Sequence, residues 1–319
     1  MMKPSPRRIL NWRRPLLAAV LAVAVLGAVP QADQSVSAPY AGVTYIDRSE
    51  TLPRPWHAHV VRVDLTAPGV RLELSAPPGP LEVVRQTTAE ALAARGAQVA
   101  INGHFFLPWP STDLNADAIG IGVSEGRVFS RFEAPAQAYA LVADVPGLNI
   151  DRDNHATLVH RDPADSSGAR VLEPVSLWTT ITGSAQIVTD GVVTIPHYRD
   201  PTHGAAELTP GGPNGYSNER SWYEAVNART AIGLSRDGRT LTLFTVDARG
   251  GSAGMTVRDV AEVLVRDYAV WQALNLDGGG STSIAMADPV TGTGTLLNVS
   301  SDNPAGRAVA TNLLVFARP

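Results

Sequence analysis

The run NLDGGGSTSI at 275–284 brings the carboxylate of Asp277, the glycines 278, 279 and 280 and the hydroxyls of Ser281 and Thr282 into one short stretch. Together they offer a carboxylate for proton transfer or nucleophilic attack, hydroxyls for a polar ligand, and a backbone without Cβ atoms to obstruct its approach. A plainer reading stands beside this one. Asp277 can cap the turn through backbone N–H groups, and polyglycine turns after strands are commonly structural. A P-loop is excluded, because no G-x-x-x-x-G-K-[ST] is present, and GGGS without a following basic residue is no dinucleotide fingerprint. Ser281 sits in no G-x-S-x-G elbow, so it reads as a binding or capping hydroxyl rather than a serine nucleophile.

The elements around this loop fix its place. Trp271, Ala273 and Leu274 read as an apolar strand ending at Asn275 to Asp277. Before it, TVRDVAEVLVRDY from Thr256 has a capping threonine, an aspartate three residues on, and Val257, Val260, Val263 and Leu264 on one helical face. Helix, strand and acidic glycine loop is thus the local order, and loops at strand ends are where a rigid scaffold places binding groups.

Three further segments join the loop. AINGHFF at 100–106 is again an apolar strand end, followed by Asn102, Gly103, His104 and an aromatic pair. RTAIGLSRDGRTLTLFTVDAR at 229–249 reads as two strands around an Asp237-Gly238 hairpin turn, with Arg229 at one end and Asp247 and Arg249 at the other. NVSSDNPAGRAVATNLLVFA at 298–317 carries Asn298 and Arg307 into a last apolar strand. In this order the segments resemble the phosphodiester glycosidase family, and the similarity extends from about Gly42 to Phe316. Two positions depart from the pattern. His104 stands where the family motif usually has a second glycine, and Ala248 stands where glycine is common.

The resemblance implies a hydrolase that cleaves a sugar-1-phosphodiester or a related α-glycosidic bond in a glycan. Such a reaction needs a group at the anomeric carbon, a cation facing the phosphate, and polar groups that hold the sugar. Asp277 is the first choice for the carboxylate, as nucleophile, base or electrostatic stabiliser, and Asp247 is the second. Arg307 and Arg229 suit the phosphate, because a planar guanidinium pairs two oxygens at once, although either can serve in a structural ion pair. Asn102 joins the catalytic set as a residue that donates and accepts at once, with turn stabilisation as its plainer role. Gly278, Gly279, Gly280, Ser281, Thr282, His104 and Asn298 complete the expected substrate-binding set, His104 altering the size of the sugar pocket. No cofactor is required by these residues. A calcium or magnesium ion on Asp277, Asp247 and backbone carbonyls is compatible with them, but no EF-hand spacing is present. His57-x-His59 falls on one strand face, and with no further ligand near it in sequence the pair reads as non-metal. Two alternatives remain: a glycoside hydrolase of the same fold acting on capsule or exopolysaccharide without phosphate, and a non-catalytic glycan-binding envelope module.

Composition bounds the setting. Residues 1–32 hold Lys3, Arg7, Arg8, Arg13 and Arg14, no acid, and the apolar run Leu16 to Val29, the pattern of a signal peptide too short to span a bilayer. Its removal takes the formal net charge from −4 to −9 and leaves no lysine, which excludes a nucleic-acid binder. The chain has no cysteine, so it relies on a buried core and cannot be a thiol enzyme. The expected setting is the medium, a periplasm or the cell envelope, with no stable membrane span after cleavage.

Residues 33–41 read as a short polar leader and 42–319 as a single catalytic domain. Val60 to Leu65 and Val70 to Ser75 alternate around Pro68-Gly69 and read as an antiparallel pair, and a short helix capped by Thr88 ends at Gly96. Strands follow at 98–102, 119–123, 126–129, 138–142, after Asn149 and around 185–193. The whole reads as an α+β fold, with a mixed, mostly β-sheet core and a few packed helices. Residues 196–228 are the longest stretch without periodicity, with Tyr216, Trp222 and Tyr223 able to stack on sugar faces or to anchor the loop.

Overall fold

Two hydrophobic faces on each of two antiparallel sheets account for the architecture. In a computed structural model, which describes residues 1–2, 32–132, 146–195 and 225–319, the chain from Gln31 to Pro319 is one compact unit. Its largest sheet has eight strands, in the order Ala32–Tyr40, Val43–Glu50, Trp56–Asp64, Thr240–Val246, Arg229–Ser235, Val270–Asn275, Ala185–Thr189 and Val192–Val193. A five-stranded sheet follows the order Gly294–Leu296, Ile284–Ala287, Val99–Asn102, Asn312–Phe316, Arg71–Ser75. Neighbouring strands in both sheets pair antiparallel.

The two sheets face each other across one core, in which Val61, Leu243, Ile232 and Leu274 of the larger meet Leu72, Leu74, Ile101 and Leu313 of the smaller. Each outer face is covered by a helix. Helix α1 (Thr88–Arg95) lays Ala91 and Leu92 on Ala100, Ala285 and Leu314, and helix α2 (Val257–Tyr268) lays Val260, Ala261 and Leu264 on Val60, Phe244 and Ala273. Helix, sheet, sheet, helix is therefore the layer order. Burying a side chain such as Leu264 in this way is worth about 1.5 to 3 kcal/mol. Both helices open with a capping box, Thr87 with Glu90 and Thr256 with Asp259. A second five-stranded sheet, Arg127–Ser130, Gly122–Ser124, Thr179–Thr182, Gly147–Ile150, Ala156–Val159, adds Leu148, Ile150 and Ile181 to the shared core. Val83–Val84, Asn115–Ala118 and Phe106–Leu107 form a three-stranded sheet.

The mostly β, α+β architecture agrees with the sequence reading, as do the Asp237-Gly238 hairpin and the helix from Thr256. Three local expectations are corrected. Residues expected as a polar leader pair as the edge strand Ala32–Tyr40, since a polar segment needs only one buried neighbour to extend a sheet. Strands Trp56–Asp64 and Arg71–Ser75 belong to different sheets, because the turn at Gly69 carries the chain across the core instead of folding it back as a hairpin. Thr87, one residue earlier than expected, caps α1. The apolar run 16–29, the strand at 138–142, His197 and His203, and Tyr216, Trp222 and Tyr223 lie outside the described residues.

Candidate active site

The glycine run is the point at which the chain leaves one sheet for the other. Strand Val270–Asn275 belongs to the large sheet and Ile284–Ala287 to the smaller, so residues 276–283 must make the crossing. Both sheets pin it. Leu276 donates its N–H to Thr230 O (2.8 Å) and Gly279 donates to Ala228 O (2.8 Å), while Asp277 donates to Gly103 O (3.1 Å). Gly279 has φ +59°, and a Cβ on Gly280 would overlap the Arg307 guanidinium, so a side chain at either place opposes the geometry.

Asn102 is the clamp between the sheets. Its Nδ2 donates to Asp277 O at 2.7 Å, and its Oδ1 accepts from Thr230 Oγ1 at 2.8 Å and from Ser283 N at 3.0 Å. The side chain is fully buried, so it holds the carboxylate's own backbone in place and does not meet a sugar hydroxyl. Asn298 acts on the same loop, accepting from Ile284 N (2.9 Å) and donating to Thr282 O (3.1 Å). The plainer reading of Asn102, stabilising a turn, is the one its contacts match, whereas Asn298 braces the loop and also lines the groove beside it.

Asp277 is 9% exposed. Burial raises its carboxyl to about 7, against the opposing pull of the Ser281 hydroxyl, the Arg307 charge and the Gly278 N–H. Arg307 reaches it through Ser281, donating from Nη1 to Ser281 Oγ at 3.3 Å. The guanidinium lies over the Trp109 ring, 4.0 Å from its centroid, and its Nε donates to Asp302 at 3.1 Å. Asp277, Ser281 and Arg307 thus form one polar relay, and Asn102 braces it from the adjoining sheet. A groove of about 800 Å³ borders this relay at Asp302 and is also lined by Arg249, Asn298, Ser300 and Asn303.

Other expected residues take different positions. Asp247, expected as the second carboxylate, is completely buried and faces His57 and His59 with one oxygen held by Val299 N at 3.1 Å, so it has no surface for a substrate. Arg229 is 4% exposed and directs donors to the carbonyls of Met255 and Ala225, bracing the chain ahead of α2. His104 is wholly enclosed. His104 Nε2 lies 3.1 Å from the Thr182 N–H and 3.0 Å from Ile121 O, Nδ1 pairs with Thr311 Oγ1 at 2.8 Å, and burial lowers the ring's pKa to about 4 against the opposing pull of the Ile121 carbonyl. It fills space between sheets and lines no sugar pocket. Thr282 is 1% exposed and also turned inward.

Three participants were missing from the expected set. Trp109 stands between Pro108 and Pro110, and a tryptophan flanked by prolines was the available signal. Asp302 lies five residues before Arg307, a spacing that could have suggested their pairing. Arg85, 6% exposed, sits over the Phe106 ring at 5.0 Å and donates to Ser111 O and Asp113 O. Burial lowers its pKa, Asp113 opposes this and the Arg307 charge adds to it, so two arginines share this corner. No sequence pattern marks Arg85.

A family model for phosphodiester glycosidases matches residues 95–316. This chain belongs to the phosphodiester glycosidase family. Among solved structures, the chain is similar to the zebrafish N-acetylglucosamine-1-phosphodiester alpha-N-acetylglucosaminidase catalytic domain auto-inhibited by its pro-peptide, at 21% identity and a TM-score of 0.56, covering 92% of this chain and 85% of that one. It is also similar to a Burkholderia pseudomallei K96243 protein described as exported, with 16% identity, TM-score 0.59 and 91% and 97% coverage. A Synechocystis hypothetical protein matches at 16% identity and TM-score 0.55, over 91% of this chain and 68% of that one. No curated protein matches. At these identities the structures establish the shared fold, while the family model places the loop carrying Asp277 and the loop carrying Arg307 inside its matched span.

Proposed function

We propose that this member of the family is an exported hydrolase that cleaves the bond between a sugar and a phosphodiester in a glycan. One observation carries the reading: a buried carboxyl with a value of about 7, Asp277, is joined through Ser281 to a guanidinium, Arg307. Both protonation states of Asp277 are then populated near neutral pH, so one group can give a proton to a departing oxygen and take one from an attacking water. Arg307 supplies the charge that a phosphate requires, and the flanking Trp109 ring fixes the guanidinium plane. The name of the zebrafish neighbour, an enzyme acting on an N-acetylglucosamine-1-phosphodiester, makes that sugar the first to test. Export is supported by the signal-like residues 1–32 and by the Burkholderia neighbour's description as exported; among the described residues no helix is long and apolar enough to cross a membrane.

A second reading has its own support. Arg307 already pairs with Asp302, which suits a site for a neutral polysaccharide in which that charge is balanced internally. Hydrolysis of phosphate-linked N-acetylglucosamine, measured beside neutral aryl glycosides of the same sugar, tests both. Turnover of the phosphate-linked compound alone supports the proposal, turnover of the neutral ones alone supports the second reading, and turnover of neither defeats both.

A further inference from the structure

The inter-sheet face of the large sheet ends in a group of side chains that the proposed hydrolysis does not use. Period-two alternation brings Tyr45 and Asp47 of strand Val43–Glu50, His57 and His59 of strand Trp56–Asp64, and Asp247 just beyond strand Thr240–Val246 to one place. His57 Nε2 is 2.8 Å from Asp47 Oδ1, and His59 Nδ1 is 3.9 Å from Asp47 Oδ2. One ligand atom from each of Asp47, His57 and His59 lies within 4.8 Å of the other two. The opposite edges of both imidazoles face a second carboxylate: Asp247 Oδ2 is 3.7 Å from His57 Nδ1 and 3.5 Å from His59 Nε2.

The burial of these groups sharpens the point. His59 and Asp247 are 1% and 0% exposed, and His59 Nε2 and Asp247 Oδ1 are buried with no hydrogen bond. On the inner side, the single Tyr45 hydroxyl proton is offered both His59 Nδ1 at 2.8 Å and Asp47 Oδ2 at 3.2 Å. Lone pairs of a carboxylate and two imidazoles therefore converge on a space with one neutral donor. The buried Asp247 carboxylate and the buried His59 ring, each with an atom that lacks a hydrogen bond, are costly unless a cation beside them balances the charge.

We infer that Asp47, His57 and His59 bind a divalent transition metal of the zinc class, with Asp247 as the outer carboxylate that orients both imidazoles. Two imidazoles and one carboxylate form a ligand set suited to such an ion, and bond lengths of about 2.0 to 2.1 Å in a tetrahedron put neighbouring ligand atoms roughly 3.4 Å apart. Asp47 Oδ1 lies 2.8 Å from His57 Nε2 and Asp47 Oδ2 lies 3.9 Å from His59 Nδ1, and one ligand atom of each residue lies within 4.8 Å of the others, the scale of one such ion's shell. Ligating histidines characteristically donate their second ring N–H to a carboxylate, which is the place Asp247 occupies. His57 and Asp47 side chains are 30% and 39% exposed, so an ion has a path from solvent, and water or the Tyr45 hydroxyl can complete its coordination. Val299 N–H fixes Asp247, and Arg307, eight residues further on, belongs to the relay, so a single loop adjoins both places.

The test is metal binding by the full-length protein, independent of any turnover. Protein stripped with a chelator is titrated with Zn²⁺ in competition with a chromophoric chelator and, separately, with Co²⁺ while visible absorption is recorded. One ion per chain and the intense visible bands of low-coordinate Co²⁺ are expected. Asp47→Asn and His57→Gln, at partly exposed positions, should each weaken Zn²⁺ by at least ~100-fold, and Asp247→Asn by roughly 10- to 100-fold as an orienting partner. Circular dichroism and melting of each variant confirm folding. Absence of stoichiometric Zn²⁺ binding by the stripped protein, or binding that survives both folded ligand variants, would overturn the inference.

Discussion

Replacing Asp277 by asparagine probes the buried carboxyl through stability as well as rate. In the unfolded chain an aspartate has a pKa of about 3.9, whereas burial holds Asp277 protonated until about 7. Between those values the native state binds one more proton than the unfolded state, so rising pH costs stability at about 1.4 kcal/mol per unit, reaching roughly 4 kcal/mol by pH 7. His104 acts in the opposite sense. Its value is lowered from 6.5 to about 4, so between those values the unfolded state binds the extra proton and stability rises with pH by a similar slope, roughly 3 kcal/mol in all. The two slopes nearly cancel from about pH 4 to 6.5 in the wild type. Asp277→Asn removes one of them, and guanidinium unfolding followed from pH 4 to 8 should show the variant gaining on the wild type by about 1.4 kcal/mol per unit, with a plateau above about pH 7. Turnover should fall by orders of magnitude at every pH. A constant difference between the two proteins would mean that Asp277 ionises at its ordinary pKa, and the buried proton-transfer role would fail with it.

Arg307→Ala should lower kcat/KM on a phosphate-linked substrate about ten- to a hundredfold more than on a neutral aryl glycoside, the loss of a charge-assisted hydrogen bond, with Arg307→Lys recovering part of it; equal losses on both would favour the neutral-polysaccharide reading. Gly280→Ala puts a methyl where the guanidinium lies, so its kinetic defect should track that of Arg307→Ala with a stability cost of about 1 to 3 kcal/mol by denaturant melt. Asn102→Ala strips partners from Asp277 O, Thr230 Oγ1 and Ser283 N in the core, and should cost at least ~3 kcal/mol in the same measurement; an unchanged midpoint would mean that solvent replaces them. Substituting His104 by glutamine should leave substrate KM unchanged if its circular dichroism is native, because the ring is wholly buried among Thr311, Thr182, Ile121 and Phe129.

The chemistry-bearing loop was legible because its signals are local. Apolar periodicity marked α2 and the strand after it, and the Asp-Gly turn marked the hairpin, so Asp277 was set at a strand end, while its contacts with Asn102 through the backbone and with Arg307 through Ser281 come from the fold. What the residues do once there depends on burial, which a sequence does not state. A strand-end asparagine whose amide is spent on Thr230, Ser283 and Asp277 is indistinguishable, in letters, from one that waits for a sugar. The same holds for Asp247 and Arg229: a charged residue at a strand end points into one of two layers according to pleat parity, and register decides which, set for Asp247 by pairing with strand Trp56–Asp64 far earlier in the chain. Here that parity turns Arg229 toward Met255 at the start of α2 and Asp247 toward His57 and His59. It is also why His57-x-His59 looked incomplete. Its carboxylates come from the preceding strand and from a residue 190 positions beyond His57, and only the antiparallel ladder through Val246 and Ala58 makes them neighbours.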